Sequence, residues 1–456
     1  MGNRKTAREA ALLALLEIDE QGAYAAIARD RALASAGLSE RDRALATELI
    51  YGVTKYRKTL DHIIGTFASR PVAQMDPPAR NVLRLGAYQV FYLTHVPPPA
   101  AVSESVKLAR VRGHEGMAAF VNAVLRAMVR DPGKVRFPDA ATEPVAHVAV
   151  KYSHPEWMVS RWIERFGLEE AMRLCDANNE RPPVTIRLNV LKVTQAQVMD
   201  SLAAAGIAAR PSRYVPEAIE VQDGADLFLH PLYRDGAFFV QDTSSMLVAY
   251  VLDPEPGDTV LDLAAAPGGK ATHMAERMGD RGTVVAVDIH EHRTRLVEQN
   301  ADRLGLRSIK AVCADATKLP PAVTCVSFDK VLVDAPCSGT GVLRRRPDLR
   351  WHRQPKDLEE LVPLQVSLLS SGAERVKPGG AIVYSTCSIE PEENSLIIKD
   401  FLKGHEDFSP DPALPYLPDT FSSVFPRTGL PFVETLPHIH GMDGFFIARL
   451  IRSASR

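Results

Sequence analysis

The chain has 456 residues, 46% hydrophobic and 24% charged, enough for several domains with separate cores. No run approaches the roughly 18 consecutive apolar residues of a membrane helix, and the polar start Met1-Gly-Asn-Arg-Lys5 lacks a signal-peptide core, so a membrane or exported protein is excluded and a cytoplasmic one expected. Five cysteines without metal-ligand spacing exclude a disulfide framework and a zinc site. The formal net charge of -2 hides an asymmetry: residues 1–140 hold 20 Lys/Arg against 14 Asp/Glu, so they carry +6 and the remainder -8. A mildly basic module joined to an acidic one suits a nucleic-acid enzyme, although charge that only solvates helices is the commoner explanation.

Residues 1–140 read as an all-α domain. Ser39-Glu-Arg-Asp42 has capping-box form before an amphipathic run, and Asp76-Pro77-Pro78 supplies an N-cap and first-turn prolines for a helix through Leu93. Pro97-Pro-Pro99 interrupts the chain, helices are expected over 102–111 and 115–130, and Asp131-Pro-Gly133 marks a linker. Residues 141–240 read as a small α+β connector, helical over 157–166 and β-rich over 184–190 and 237–240. Residues 241–456 alternate strand and helix, with strands expected over 259–263, 283–288, 309–312, 330–334 and 381–385. That alternation implies a parallel sheet of Rossmann-like α/β type, with 444–450 added late as an antiparallel edge strand.

Val260-Leu-Asp-Leu-Ala-Ala-Ala-Pro-Gly-Gly-Lys270 is a strand entering a small-residue turn before a helix. Gly268 and Gly269 permit close backbone approach, and the helix-start N–H groups can hold a polar ligand group; a plain strand-to-helix turn needs glycine too. Asp288, closing the next strand, is spaced to accept ribose hydroxyls, which implies a nucleoside cofactor, and Asp315 is placed for an adenine amine. Each strand-end Asp is equally an ordinary N-cap; three in succession (Asp288, Asp315, Asp334) favour a site. Cys337, in Asp334-Ala-Pro-Cys-Ser-Gly-Thr-Gly341, and Cys387, in Tyr384-Ser-Thr-Cys-Ser388, each follow an apolar strand, so both thiols are expected at one sheet edge, where covalent chemistry is suggested. A single such Cys would more often be a small buried hydrophobe. Residues 344–353 carry Arg344, Arg345, Arg346, Arg350 and Arg353 with Trp351 among them, a pattern for phosphate contact and base stacking or for a solvated, salt-bridged approach.

Ala264-Ala-Ala-Pro-Gly-Gly-Lys270, the Pro-Cys segment, Arg345-Arg-Pro-Asp348 and Ser385-Thr-Cys-Ser-Ile-Glu-Pro-Glu-Glu-Asn394 resemble the S-adenosylmethionine-dependent RNA (cytosine-5) methyltransferase family. Leu83-Arg-Leu-Gly-Ala-Tyr-Gln89, Phe120-Val-Asn-Ala-Val-Leu-Arg126 and Tyr152-Ser-His-Pro155 are similar to its subfamily with a NusB-like helical domain, the bacterial 16S ribosomal RNA enzymes of Sun/Fmu type. Ala264 stands where relatives often have Cys, and a small residue suffices there. The resemblance implies S-adenosylmethionine bound by Ala264, Ala265, Ala266, Pro267, Gly268, Gly269, Lys270, Asp288, Asp315 and Asp334, with no metal. It implies Cys387 as the nucleophile on C6, Cys337 in product release, and Asp334 holding the cytosine. Cys387 needs neighbouring positive charge to ionise, with Lys270 and Arg344–Arg346 as candidates. The partner implied is 16S ribosomal RNA, its cytosine single-stranded or flipped out, met by a monomer. Other readings are a transfer RNA or large-subunit RNA substrate, or a non-catalytic assembly factor with a vestigial fold.

Overall fold

The computed structural model describes residues 5–221, 227–423, 425 and 430–454; the start Met1–Arg4 lies outside them. The chain forms two compact units, one of Met1–Glu180 with Leu343–Arg353, the other of Arg181–Val342 with Gln354–Arg456. The division at Glu180 cuts the expected 141–240 connector: its helices Pro144–Lys151, Glu156–Phe166 and Leu168–Ala177 belong to the helical unit and its strands to the catalytic one.

The helical unit is held by a core of small and aliphatic residues, among them Ala11, Leu12, Leu49, Ile50, Leu60, Val82, Leu83, Val121 and Leu125. Ser39 caps helix Glu40–Lys55 by accepting the Asp42 N–H at 3.2 Å. Pro98 and Pro99 do not merely break the chain; they occupy the first turn of helix Pro98–Arg112, where the missing N–H costs nothing. The buried guanidinium of Arg84 in helix Pro77–Tyr92 is forked onto Asp61 (2.7 and 2.8 Å) and lies 3.2 Å from Asp19. With Arg80 and Arg57 also near, Asp19 is held down at about 2 although burial alone would raise it.

The second unit opens with a four-stranded antiparallel sheet, β1 Val184–Leu188, β2 Ala209–Pro211, β3 Ala218–Val221 and β4 Phe238–Val240, in the order β2-β3-β1-β4. The main sheet comprises β5 Thr259–Asp262, β6 Thr283–Asp288, β7 Ile309–Cys313, β8 Phe328–Asp334, β9 Val376–Thr386, β10 Phe408–Asp411, β11 Phe432–Thr435 and β12 Phe445–Arg452. Its order is β10-β12-β9-β8-β5-β6-β7, with β5 to β9 parallel and β12 antiparallel to β9. β12 is therefore no edge strand. β11 and β10 pair end to end along its outer side, covering Phe445–Ala448 and Arg449–Arg452 respectively. The run 445–450 is buried throughout, as a strand with neighbours on both sides should be. Side chains of β5, β8 and β9 point alternately into two cores: Leu261, Val331 and Ile382 on one face, Val260, Leu332 and Val383 on the other. This register delivers Asp262, Asp334 and Cys387 to the carboxyl ends of adjacent strands, where the strand order reverses about β5.

Candidate active site

The loops after β8 and β9 bring the two cysteines together, with Sγ–Sγ 3.3 Å between Cys337 and Cys387 and no disulfide. The loops are stitched by backbone: the Gly341 N–H donates to the Cys387 carbonyl at 2.9 Å, and the Gly444 N–H to the Gly341 carbonyl at 2.8 Å. A Cβ on Gly341 would collide with both Gly444 and Cys387, so only glycine lets the strands approach. The neighbouring Cys387 and burial push the Cys337 thiol well above its ordinary value, and either sulfur can donate in the contact between them.

Lys270 Nζ lies 2.7 Å from Asp334 Oδ2, and the Ser385 hydroxyl donates to Asp334 Oδ1 at 2.9 Å. Burial alone would lower the Lys270 ammonium, but Asp334, Asp262 and Cys387 outweigh it and hold it above its usual value. Lys270 is therefore a fixed positive charge in the field of Cys387, one of the two activators expected. The other candidates, Arg344–Arg346, belong to the helical unit.

Beside this lies a cavity of about 290 Å³ whose lining includes Asp262, Ala264–Pro267, Gly269, Lys270, Asp334 and Phe445. Gly268, at φ +99, starts helix Gly269–Arg277; a Cβ there would sit 3.3 Å from the Val297 backbone. Asp288 and Asp315 are outside the lining. Asp288 accepts the His290 N–H at 3.2 Å and has Arg293 3.4 Å away; Asp315 accepts the Thr317 N–H and hydroxyl at 2.9 and 2.7 Å, which hold its carboxyl below the usual range. Asp262 was not expected. It is 1% exposed, burial and Asp334 push it up to about 7, and its Oδ2 has no partner. The strand-end aspartate signal used for its three neighbours applied equally to it.

The turn is held from beneath by Arg187 of β1, fully buried, which donates to the Gly269 carbonyl at 2.5 Å, to Thr272 Oγ1 at 2.9 Å, to both Glu276 oxygens at 3.0 Å and to Gln241. Nothing in the local sequence marks an isolated arginine of a β-rich run as a partner of residues some 85 positions later.

The arginine-rich segment divides. Arg346 is exposed, Arg345 and Arg353 are half-buried and Arg344 is buried. Arg350, expected at RNA, is 0% exposed: it donates to the Ser153 carbonyl at 3.0 Å, Asn179 Oδ1 at 2.9 Å and the Asn178 carbonyl at 3.2 Å. Burial lowers it to about 10. Its guanidinium faces protein, so no phosphate contact is open to it. Trp351 donates its indole N–H to the Thr54 carbonyl at 2.6 Å, and Arg57 stands 5.7 Å from its ring, which leaves it a packing residue at least on that side.

A mixed, largely parallel sheet with a glycine turn and acidic strand ends around its reversal point defines the methyltransferase class of α/β domain. The chain belongs to the 16S rRNA methyltransferase RsmB/F family. That family's model matches residues 249–451, a NusB family model matches 5–130 and an RsmF/B-like ferredoxin-like domain matches 154–227. The chain is 40% identical to a probable ribosomal RNA small subunit methyltransferase B of Bacillus subtilis, covering 98% of this chain and 99% of that one. It is 38% identical to the Synechocystis protein of the same description, over 98% and 99%. Solved structures of similar fold include a methyltransferase homolog from Pyrococcus horikoshii (TM-score 0.57, 29% identity, 68% of this chain and 99% of that) and NSun6 from the same organism with SFG (TM-score 0.58, 25% identity, 66% and 99%).

Proposed function

We propose that this enzyme moves a methyl group from S-adenosylmethionine to C5 of a cytosine in 16S ribosomal RNA, single-stranded or flipped out, acting as a cytoplasmic monomer. The observation that carries this reading is the 3.3 Å approach of two thiols beside the Lys270–Asp334 pair. C5 of cytosine is a weak nucleophile until a thiolate adds to C6. In this reading the Cys387 sulfur bonds C6 and the displaced electron pair passes to C5, which takes the methyl. Transfer of the C5 proton to solvent water then re-forms the double bond and expels the Cys387 thiolate. Cys337, protonated and within hydrogen-bond reach, stabilises the departing thiolate, which gives it the release role. Asp334, held by Lys270 and Ser385 at the end of the strand that leads to Cys337, is assigned to the amine edge of the base, where it would offset charge that develops on addition.

The donor supplies an electrophilic methyl on a sulfonium. Ala264–Lys270 would hold it, with Asp288 and Asp315 toward its nucleoside end. The fit rests on the cavity lined by Ala264–Pro267 and Gly269 and on the unpartnered Asp262 Oδ2, a buried acceptor suited to a cationic group. RNA contacts are assigned to Arg345, Arg346 and Arg353, with the buried Arg344 and Arg350 removed from the set.

Incubation with methyl-labelled donor and separated ribosomal and transfer RNAs, followed by mapping of the modified base, tests the reading. Label in 5-methylcytosine of 16S RNA is expected. Label at another base, or in transfer or large-subunit RNA alone, would overturn it.

A further inference from the structure

The Pro-Cys loop is anchored by a carboxylate that the chemistry above does not use. Glu393, in the turn Pro391–Glu393, is 0% exposed. It accepts the Ser338 N–H at 2.8 Å, the Ser338 hydroxyl at 2.5 Å and the Gln365 amide at 3.0 Å. The same Gln365 nitrogen donates to the Pro336 carbonyl at 2.9 Å, so both neighbours of Cys337 are fixed through one charged group. Tyr384 donates its hydroxyl to the Glu393 carbonyl at 2.7 Å, and Asn394, the next residue, accepts the Thr386 hydroxyl at 2.5 Å, so the Thr-Cys strand is tied to the same turn.

We propose that Glu393 is the positioning residue of the Pro-Cys loop: it fixes Cys337 against Cys387, and its carboxylate keeps Cys337 as the thiol. The proposal rests on the thiolate reading above and adds the reason for the unequal roles. Among the described contacts, the titratable groups around Cys337 include Cys387 and Tyr384 on the β9 side, Asp334 at the end of β8 with its partner Lys270, and Glu393 itself. The helix Pro355–Ala373 presents the uncharged Gln365. Lys270 lies in the field of Cys387, whereas Glu393 acts on Cys337. Cys337, 3.3 Å from Cys387, is thus held toward the thiol form.

The test needs no RNA. The full-length protein is alkylated with iodoacetamide across a pH series, and each cysteine peptide is quantified by mass spectrometry. In the unaltered chain Cys387 is expected to react first, with a lower midpoint than Cys337. Glu393→Gln, nearly isosteric, should lower the Cys337 midpoint by about one pH unit, making it roughly tenfold more reactive relative to Cys387 at fixed pH. Glu393→Asp keeps the charge and should preserve the order of reactivity. An unmoved midpoint, or equal acceleration of both cysteines as from a loosened loop, would overturn the proposal. Should Glu393→Gln not fold, Gln365→Met decides instead: removing a donor from the carboxylate must raise the Cys337 midpoint, and no change refutes the idea. Because these readouts precede substrate, their failure leaves the cytosine chemistry standing, and failure of RNA methylation leaves the thiol order measurable.

Discussion

Arg350 separates a folding role from an RNA role in one residue. Arg350→Met removes three hydrogen bonds from a guanidinium that is 0% exposed and leaves the Ser153 and Asn178 carbonyls and Asn179 Oδ1 without their donor. Breaking a buried, charge-assisted set of this kind costs about 3–5 kcal/mol. Among the described residues no carboxylate forms an ion pair with Arg350, and burial already holds its pKa down to about 10. Methionine recovers part of the lost packing, which favours the lower end of that range. At a urea slope of roughly 2 kcal/mol/M the helical unit's midpoint should fall by about 1.5–2 M. Urea titration of the full-length protein, followed by circular dichroism, reads this directly. The exposed Arg346→Ala should do the reverse, with an unchanged midpoint and a slope of log affinity against log salt smaller by about 0.9. An Arg350→Met protein with unaltered urea midpoint and weakened RNA binding would refute the assignment.

Other sites yield distinct outcomes. Gly268→Ala forces a side chain into φ +99 beside Val297, a cost of about 1–2 kcal/mol, and should weaken S-adenosylmethionine binding roughly 5- to 30-fold by calorimetry; an unchanged dissociation constant would show that the turn does not hold the donor. Lys270→Met removes the positive charge near Cys387 and should move the acid limb of the methylation pH profile to higher pH, whereas an unmoved limb assigns thiolate activation elsewhere. His273, buried against Glu217 at 2.9 Å, has its pKa lowered by burial and Arg187 from 6.5 to about 4. Below pH 6.5 the unfolded chain takes up a proton that the folded one refuses, so this group removes about 3 kcal/mol as pH falls from 6.5 to 4. Asp262, raised from 3.8 to about 7, works oppositely over the whole of that window. The measurable quantity is thus the stability of the native chain minus that of His273→Gln, which should decline on acidification; a pH-independent difference would contradict the burial argument.

Local pattern carried much of the architecture. The strands ending at Asp262 and Asp334 are short apolar runs before proline and glycine, and Cys337 and Cys387 follow the neighbouring apolar strands β8 and β9, so their meeting at one sheet edge was legible from the β-period and strand direction. What escaped the sequence depends on pairing between distant segments. Five arginines in ten residues read as a surface, yet Arg350 finds three acceptors around Ser153 and Asn178, about 170 to 200 positions earlier. Ser153 sits at φ 58 in Tyr152-Ser-His-Pro155, so that motif's carbonyl is turned to serve an arginine no local rule connects to it. β12 read as an edge because its partners β10 and β11 are only four residues each, and β10 carries Pro410 and no β-branched residue. Glu393 was quoted within a motif without a role, since an acidic turn residue normally signals solvent.

The covalent trap tests the central claim most directly. Cys337→Ala and Cys387→Ala proteins are incubated with 16S RNA and S-adenosylmethionine, denatured and resolved by size. Cys337→Ala should accumulate a denaturation-resistant protein–RNA adduct, because Cys387 still attacks C6 while its departure has lost the hydrogen bond now spanning 3.3 Å. Cys387→Ala should give neither adduct nor methylation while still binding the donor. An adduct formed only by Cys387→Ala would reverse the two roles, and methylation retained by Cys387→Ala would contradict thiolate attack from that residue.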